Sequence, residues 1–308
     1  MAESSDSAVN QGCTYIDRID RVAAGATVLD FYRERYRHSQ PQQWRERIEK
    51  GEVLLDGKRT GTGEILRPGQ VLSYHRQPWQ EPPVPLHFEI LYEDEVVLVV
   101  AKPSGLPVLP GGGFVENTLL AQLKKHFPER TPVPVHRLGR GTSGLLLLAR
   151  TPKSRAALSE QLRRQQITKI YRALASGSPV ADHFAIDQPI GKVPYPGLGY
   201  LWAATDGGLT AYSECSVLRR QARDSLLAVT IRTGRPHQIR IHLAAAGHPL
   251  VGDPLYGPGG VPQAVEGEGR RAVPGDCGYW LHAWKLGFRH PESGRGLELT
   301  CAPPPGLA

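Results

Sequence analysis

Three segments concentrate the side chains able to do chemistry. The first, Val135–Gly144, reads V-H-R-L-G-R-G-T-S-G and sets an imidazole, two guanidiniums and two hydroxyls among three glycines. Within it Gly139 to Gly144 matches G-x-G-x-x-G, the turn that cradles a dinucleotide pyrophosphate. That use needs a strand before the glycines and a helix opening at their end. Here Leu145–Ala149 follows, an apolar run suited to a buried strand. A helix starts only after Thr151-Pro152, and no acidic residue sits in the right setting for a ribose, Glu160 being the nearest. A dinucleotide site is disfavoured, and a P-loop is excluded because no Gly-Lys-Ser/Thr is present. The second segment, Thr233–Gly257, holds His237, His242 and His248. Their spacing does not bring three ligands to one helix or strand face, and no cysteine lies nearby, so metal binding is disfavoured. Donation of hydrogen bonds around a polar cleft fits these side chains better. The third, Ile167–Leu174, alternates as a strand does and places Lys169 and Tyr171 on one face.

The elements that must position these residues follow from pattern. Val96–Ala101, Leu145–Ala149 and Leu226–Ile231 are unbroken apolar runs that predict buried strands. Thr118–His126 and Lys153–Gln165 have helical spacing, and Pro110–Gly113, Pro194–Gly199 and Gly257–Pro262 read as loops. A different texture precedes them. Ala26–Tyr36 and Gln42–Lys50 predict two helices, Glu52–Asp56 and Gln70–His75 two short strands, and Asp56-Gly57 a hairpin turn. The stretch 78–87 carries four prolines and predicts a stiff linker. The expected organisation is therefore a flexible tail over 1–14, a small domain over 15–77, the linker, a main domain over 88–301 and a free tail over 302–308. Strands outnumber helices in the main domain, which predicts an α+β fold around a largely antiparallel sheet.

The net charge of +7 favours a polyanionic partner, nucleic acid first. No run of apolar residues is long enough for a membrane helix, and no membrane partner is expected. The start of the chain lacks the basic-then-apolar order of a signal peptide. Cys13, Cys215, Cys277 and Cys301 lie far apart, which fits a reducing, cytoplasmic setting. A monomer is expected. In the small domain Arg33, Arg35, Arg37, Arg45, Arg47 and Lys50 make the helix pair basic. They read either as a phosphate-tracking face or as a solvated face balanced by Glu34, Glu46 and Glu49.

Two resemblances bear on these readings. The helix pair followed by R-I-x-x-G-x-V-x-x-x-G (Arg47 to Gly57) and L-x-P-G-Q-V-L (Leu66 to Leu72) resembles the alpha-L RNA-binding module of a ribosomal protein and many RNA-modifying enzymes. It points to Arg45 and Arg47 as RNA contacts. From about residue 88 to 301 the chain resembles the RluA-type pseudouridine synthases. Lys102-Pro103-Ser104-Gly105, His136-Arg137-Leu138, Thr142-Ser143-Gly144-Leu145, Lys169–Tyr171, Gly234–Arg240, Gly252–Gly257 and Leu281-His282-Ala283 all stand in family order. The resemblance implies the pseudouridine-synthase fold with an alpha-L domain in front, and isomerisation of uridine in ribosomal or transfer RNA without cofactor or metal. It implies that Tyr171 stacks on the flipped uracil, that Arg137 helps hold the base out, and that Arg235 is the arginine that pairs with the family's catalytic Asp. His136, Thr142, Lys169, His237 and Arg240 are further candidate RNA contacts.

One position departs from the family. Its first segment reads His-Arg-Leu-Asp, and the Asp is the essential group. This chain has Gly139 there, and Gly141 at a second position that is often acidic. The reaction breaks the N1–C1′ bond, turns the uracil and joins C5 to C1′. A group must act at the sugar meanwhile, as nucleophile or base, and glycine has none to offer. An Arg235 buried without its carboxylate partner would be costly, and three resolutions stand open. Asp253, Asp206 or Asp94 supplies the carboxylate, although Asp253 also reads as a turn residue before Pro254. An RNA phosphate or other anion neutralises Arg235. Or the chain binds RNA without turnover.

Overall fold

The computed structural model describes residues 9–37, 39–263 and 271–308. The chain forms two compact units, Met1–Pro82 with Pro194–Leu201, and Pro83–Val193 with Trp202–Ala308.

In the first unit strand β1 (Cys13–Arg18) leads to helices α1 (Val28–Arg35) and α2 (Pro41–Glu49), then β2 (Val53–Leu55), β3 (Lys58–Arg59) and β4 (Val71–Arg76). The strands form one antiparallel sheet in the order β1-β4-β2-β3. Thr27 caps α1 through its side chain, and Pro41 opens α2 where the missing N–H costs nothing. Asp56 and Gly57 both take positive φ, as the tight β2–β3 turn demands. The core is aromatic: Trp44 stacks on Tyr32 at 4.4 Å and meets Tyr74 edge-on at 5.1 Å. The expected tail over 1–14 is shorter than expected. Residues 1–8 lie outside the described residues. Val9 pairs with Gln80, Asn10 donates to Glu81 at 2.7 Å, and β1 starts at Cys13.

The second unit is built on one ten-stranded sheet. Its elements in chain order are β5 (Glu89–Glu93), β6 (Val97–Lys102), α3 (Leu119–His126), β7 (Val133–Pro134), β8 (Ser143–Ala149), α4 (Pro152–Arg163), β9 (Thr168–Ser176) and β10 (His183–Ile186). There follow the hairpin of β11 (Ile190–Tyr195) and β12 (Gly199–Ala204), whose tip over 194–201 is counted with the first unit, then β13 (Ser213–Arg220), β14 (Asp224–Ile231), α5 (Gln238–Ala245), the small pair β15 (Tyr256–Gly257) and β16 (Val261–Pro262), β17 (Leu281–Arg289) and β18 (Gly296–Thr300). The main order is β10-β13-β14-β9-β17-β8-β6-β5, with β18 on β17 and β7 on β8. Every pairing in it is antiparallel except β17 with β8. β6 and β8 are buried along almost their whole length, which is why they read as unbroken apolar runs. Each large aliphatic side chain sealed there contributes about 1.5–3 kcal/mol. β9 alternates, burying Lys169, Tyr171, Ala173 and Ala175 on one side.

The sheet disposes of the dinucleotide reading, because strand β8 begins at Ser143, inside the glycine pattern, where a helix would have to open. The C-terminal segment expected to be free is docked instead: Leu307 is buried, and its carbonyl accepts from Arg172 Nη1 at 2.7 Å. No helix among the described residues is long and apolar enough to cross a membrane.

Candidate active site

The loop from Val135 to Thr142 hangs by its backbone from a neighbouring turn. The fully buried Lys102, at the end of β6, donates to the carbonyls of Pro103 (2.7 Å), Leu106 (2.8 Å) and Arg140 (3.1 Å). Gly105 N–H also donates to Arg140 O at 2.8 Å, and Ser104 Oγ to Gly141 O at 2.7 Å. The Lys-Pro-Ser-Gly segment is thus a clamp for the loop. Burial pushes the Lys102 ammonium down to about 7. Arg140 Nε donates to Gly275 O at 2.7 Å, tying the loop to the segment before β17. Gly144 closes the loop onto the sheet at φ +102°, where a Cβ would run into the Ala283 backbone. Only glycine permits that approach.

Among the loop's polar side chains Arg137 is the one left uncommitted. Arg137 is exposed and makes no hydrogen bond or ion pair among the described residues. His136 accepts from Leu147 N–H through Nε2 at 3.3 Å. Burial, and then the nearby Lys169, hold its pKa down at about 4, so the ring is neutral. Lys169, itself pushed down to about 8 by burial, reaches to within 3.6 Å of where a Cβ on Gly234 would stand. The three sequence segments therefore meet here: His136 from the loop, Lys169 and Tyr171 from β9, and Gly234-Arg235 before α5. Burial raises the Tyr171 phenol well above its usual range.

The place of the absent carboxylate is filled. A Cβ built on Gly139 would stand 2.7 Å from the phenolic oxygen of Tyr279 and 3.4 Å from Thr142 Oγ1. A Cβ on Gly141 would stand 2.9 Å from Cζ of the same ring. Tyr279 is buried, its hydroxyl lies 3.3 Å from Thr142 Oγ1, and the Arg240 guanidinium sits 4.2 Å from its ring centroid. Sequence reasoning did not single out Tyr279. The signal was indirect: two glycines two apart leave a volume, and a ring from 140 residues downstream fills it (279 against 139).

The segment around α5 is the reverse case, for its polar side chains are consumed by the fold. Arg240 forks onto Asp253, Nε to Oδ2 at 2.7 Å and Nη2 to Oδ1 at 2.6 Å, both groups sealed from solvent. Asp253 Oδ1 also accepts from the N–H groups of Leu255 and Tyr256. Gln238 accepts from Thr233 Oγ1 and Arg235 N–H, and donates to Tyr212 O and Ser213 Oγ. Tyr256 gives its one proton to Trp202 O at 2.7 Å, so His237 Nδ1, also at 2.7 Å, must be the donor to Tyr256. Burial holds His237 neutral, with a pKa down at about 4. His237 takes a left-handed φ of 56°, a conformation that costs a non-glycine residue about 1–3 kcal/mol and persists only where contacts hold it.

Several expected site residues are corrected by this geometry. Arg240 and Thr142 are buried and pair with Asp253 and Tyr279, and His237 pairs with Tyr256 through Nδ1. His237, His242 and His248 have separate partners, in Tyr256, in Ser213 with Gln188, and in Ser176. The replacement carboxylates also fall away. Asp253 is saturated, Asp94 accepts from Tyr92, His290, Val96 and Val97, and Asp206 stands exposed in the turn after β12. Arg235 is only half-buried and donates through Nε to Thr210 O at 3.0 Å, so no lone charge is stranded in the interior. In the first unit Arg45 is exposed and unpaired among the described residues, whereas Arg47 lies over Trp44 at 4.5 Å and bonds Ser39.

Comparison with known proteins falls on the same segments. The family model described as RNA pseudouridylate synthase matches residues 96–245. An uncharacterized RNA pseudouridine synthase of Synechocystis sp. is 50% identical over 91% of this chain and 95% of its own. The ribosomal large subunit pseudouridine synthase D of Neisseria meningitidis is 36% identical over 83% of this chain and 70% of its own. Among solved structures, human RNA pseudouridylate synthase domain containing 1 superposes with a TM-score of 0.57 at 26% identity, covering 74% of this chain and 89% of that one.

Proposed function

Since this chain belongs to the RNA pseudouridine synthases, a family of isomerases, we propose that it acts on uridine in ribosomal or transfer RNA, with the base turned against β9 beneath the 135–142 loop. The observation that carries this is the meeting of His136, Lys169 with Tyr171, and Gly234-Arg235 from three distant stretches of sequence. The Neisseria relative is named for the large ribosomal subunit, which favours ribosomal RNA as the substrate class. Four free, separated cysteines favour a reducing cytoplasm.

The proposed roles follow from exposure and reach. The target base leaves its stack at a cost of a few kcal/mol. Tyr171 returns part of that by stacking, on the order of 1–3 kcal/mol per base. Arg137, exposed and unspent, takes the space the base vacates. Arg235 keeps its outer N–H groups for an RNA phosphate, which would neutralise its charge. Lys169 supplies charge to the RNA backbone below about pH 8. In the first unit Arg45 supplies a phosphate contact, and the packing of Arg47 on Trp44 makes it a support for that face.

The test is a map of pseudouridine across ribosomal and transfer RNA from cells with and without the protein, repeated with purified protein added back. Loss of a defined site, restored by the protein, is the expected result. An unchanged map, with RNA still bound, would leave an RNA-binding relative without turnover.

A further inference from the structure

The isomerase must act at C1′ of the ribose, and the group its relatives use there is absent. We infer that Tyr279 takes over that task, its phenolic oxygen serving the anomeric carbon from the position a side chain at Gly139 would otherwise hold. The inference rests on the isomerase reading above and goes beyond it by naming the reacting group.

Geometry carries it. Tyr279 Oη lies 2.7 Å from the site of a Gly139 Cβ, which is the shell a carboxylate on that carbon would occupy. Gly139 is exposed and carries no side chain, and Tyr279 Oη is the atom nearest to where one would begin. Gly141 spares the ring a second clash. Among the described residues the three atoms nearest that place belong to Tyr279 and Thr142, while Asp253 faces Arg240 and the Leu255 and Tyr256 amides with all its polar reach. Arg240, 4.2 Å from the ring centroid, and the Thr142 hydroxyl, 3.3 Å from Oη, are placed to stabilise negative charge on the phenol as it develops. Burial keeps the proton on Oη at rest.

A phenol suits the proton accounting of this isomerisation. The N1–C1′ bond breaks with its electron pair going to N1. The Oη proton passes to N1, and the phenolate oxygen bonds to C1′. The uracil turns, C5 attacks C1′, and the C1′–Oη bond breaks with its pair returning to oxygen. The C5 proton then goes to the phenolate. The net change is one proton moved from C5 to N1 and one bond exchanged at C1′, with nothing consumed. Aryl–oxygen attack at an anomeric carbon has chemical precedent in glycosidases that use a tyrosine nucleophile.

The experiment is single-turnover tritium release from RNA carrying [5-³H]uridine, prepared from cells lacking the protein, with RNA affinity and thermal midpoint measured alongside. Tyr279→Phe keeps the ring over Arg240 and removes only the oxygen. It is expected to cut the rate by about 10²-fold or more with affinity and midpoint unchanged. Gly139→Asp alone clashes with Oη and stays slow. Gly139→Asp combined with Tyr279→Phe frees that space, because the ring carbon Cζ is 4.0 Å away, and is expected to regain rate. If the wild type releases tritium and Tyr279→Phe matches it, the inference is overturned and the isomerase stands. If only the double variant is active, Tyr279 is a plug, not a catalyst. If neither wild type nor double variant releases tritium, the isomerase reading fails, and this one with it.

Discussion

The two segments that meet at Tyr279 are built on opposite plans. The loop from Val135 to Thr142 is gripped by its carbonyls, through Lys102, Ser104 and Gly105, and its side chain at 137 stays available. The segment from Thr233 to Tyr256 is gripped by its side chains, with Gln238, Arg240, His242 and Asp253 all spent inside the protein. Equal-looking motifs therefore mean different things. In the loop Arg137, unpaired among the described residues, is free to meet RNA. Around α5 a polar residue is a strut, and a buried fork such as Arg240–Asp253 fixes geometry without itself being evidence of extra stability.

The comparison breaks or sharpens under substitution. The largest effect is expected at Arg240→Ala, which strands the buried Asp253 and costs about 3–5 kcal/mol in a urea unfolding series; a cost under about 1 kcal/mol would mean that the fork is not a strut. Next is Lys102→Met, which leaves the Pro103 and Leu106 carbonyls without their donor and the Arg140 carbonyl with Gly105 N–H alone, loosening the loop at about 2–3 kcal/mol. That variant also carries a pH signature. The folded Lys102 releases its proton at about 7, well below the ordinary lysine value of 10.5. Between those values the unfolded chain binds more protons, so wild-type stability rises with pH, and the methionine variant should lack part of that rise. Urea midpoints at two pH values inside the window measure it. Arg137→Ala should change stability by no more than about 0.5 kcal/mol while slowing pseudouridine formation by roughly tenfold or more, the expected order for a residue that touches substrate. A matching loss of stability would place Arg137 among the struts. The smallest effect is expected at Arg45→Glu, a weakening of RNA binding that lowers the salt slope by about one. The same change at Arg47 should also destabilise the first unit, because that guanidinium packs on Trp44 and Tyr74.

Much of this was legible from residue order. The apolar runs at β6, β8 and β14 were readable because both of their faces are buried or nearly so. Thr118 and Thr151 marked two helix starts and cap them in the structure. Helix α5 was not read as a helix, since every residue from Gln238 to Ala244 is buried and no amphipathic stripe remains to give the 3.6-residue period. β1 escaped notice because its side chains are mostly exposed and its pairing with β4 lies more than fifty residues away. In the site, the identity of polar residues was visible but their commitments were not. Whether Arg240 faces RNA or Asp253 is decided by a contact across 13 residues and a turn. The occupant of the Gly139 space was hidden for the same reason, being a tertiary contact from the other end of the domain.

The placement of β17 dictates an order of assembly. β8 and β9 are joined by a single helix, yet they are not neighbours: β17 enters between them, with His282 opposite Ser143 on one side and Leu281 opposite Ala173 on the other. Until that late strand is synthesised and inserted, the sheet is two halves with unpaired edges facing each other. Contacts of such long range close slowly, and open strand edges invite pairing with other chains. Tyr279 stands two residues before β17 and arrives with it. The strand that joins the two halves of the sheet is thus also the one that brings Tyr279 to the loop, so the space behind Gly139 is filled only once the halves are joined.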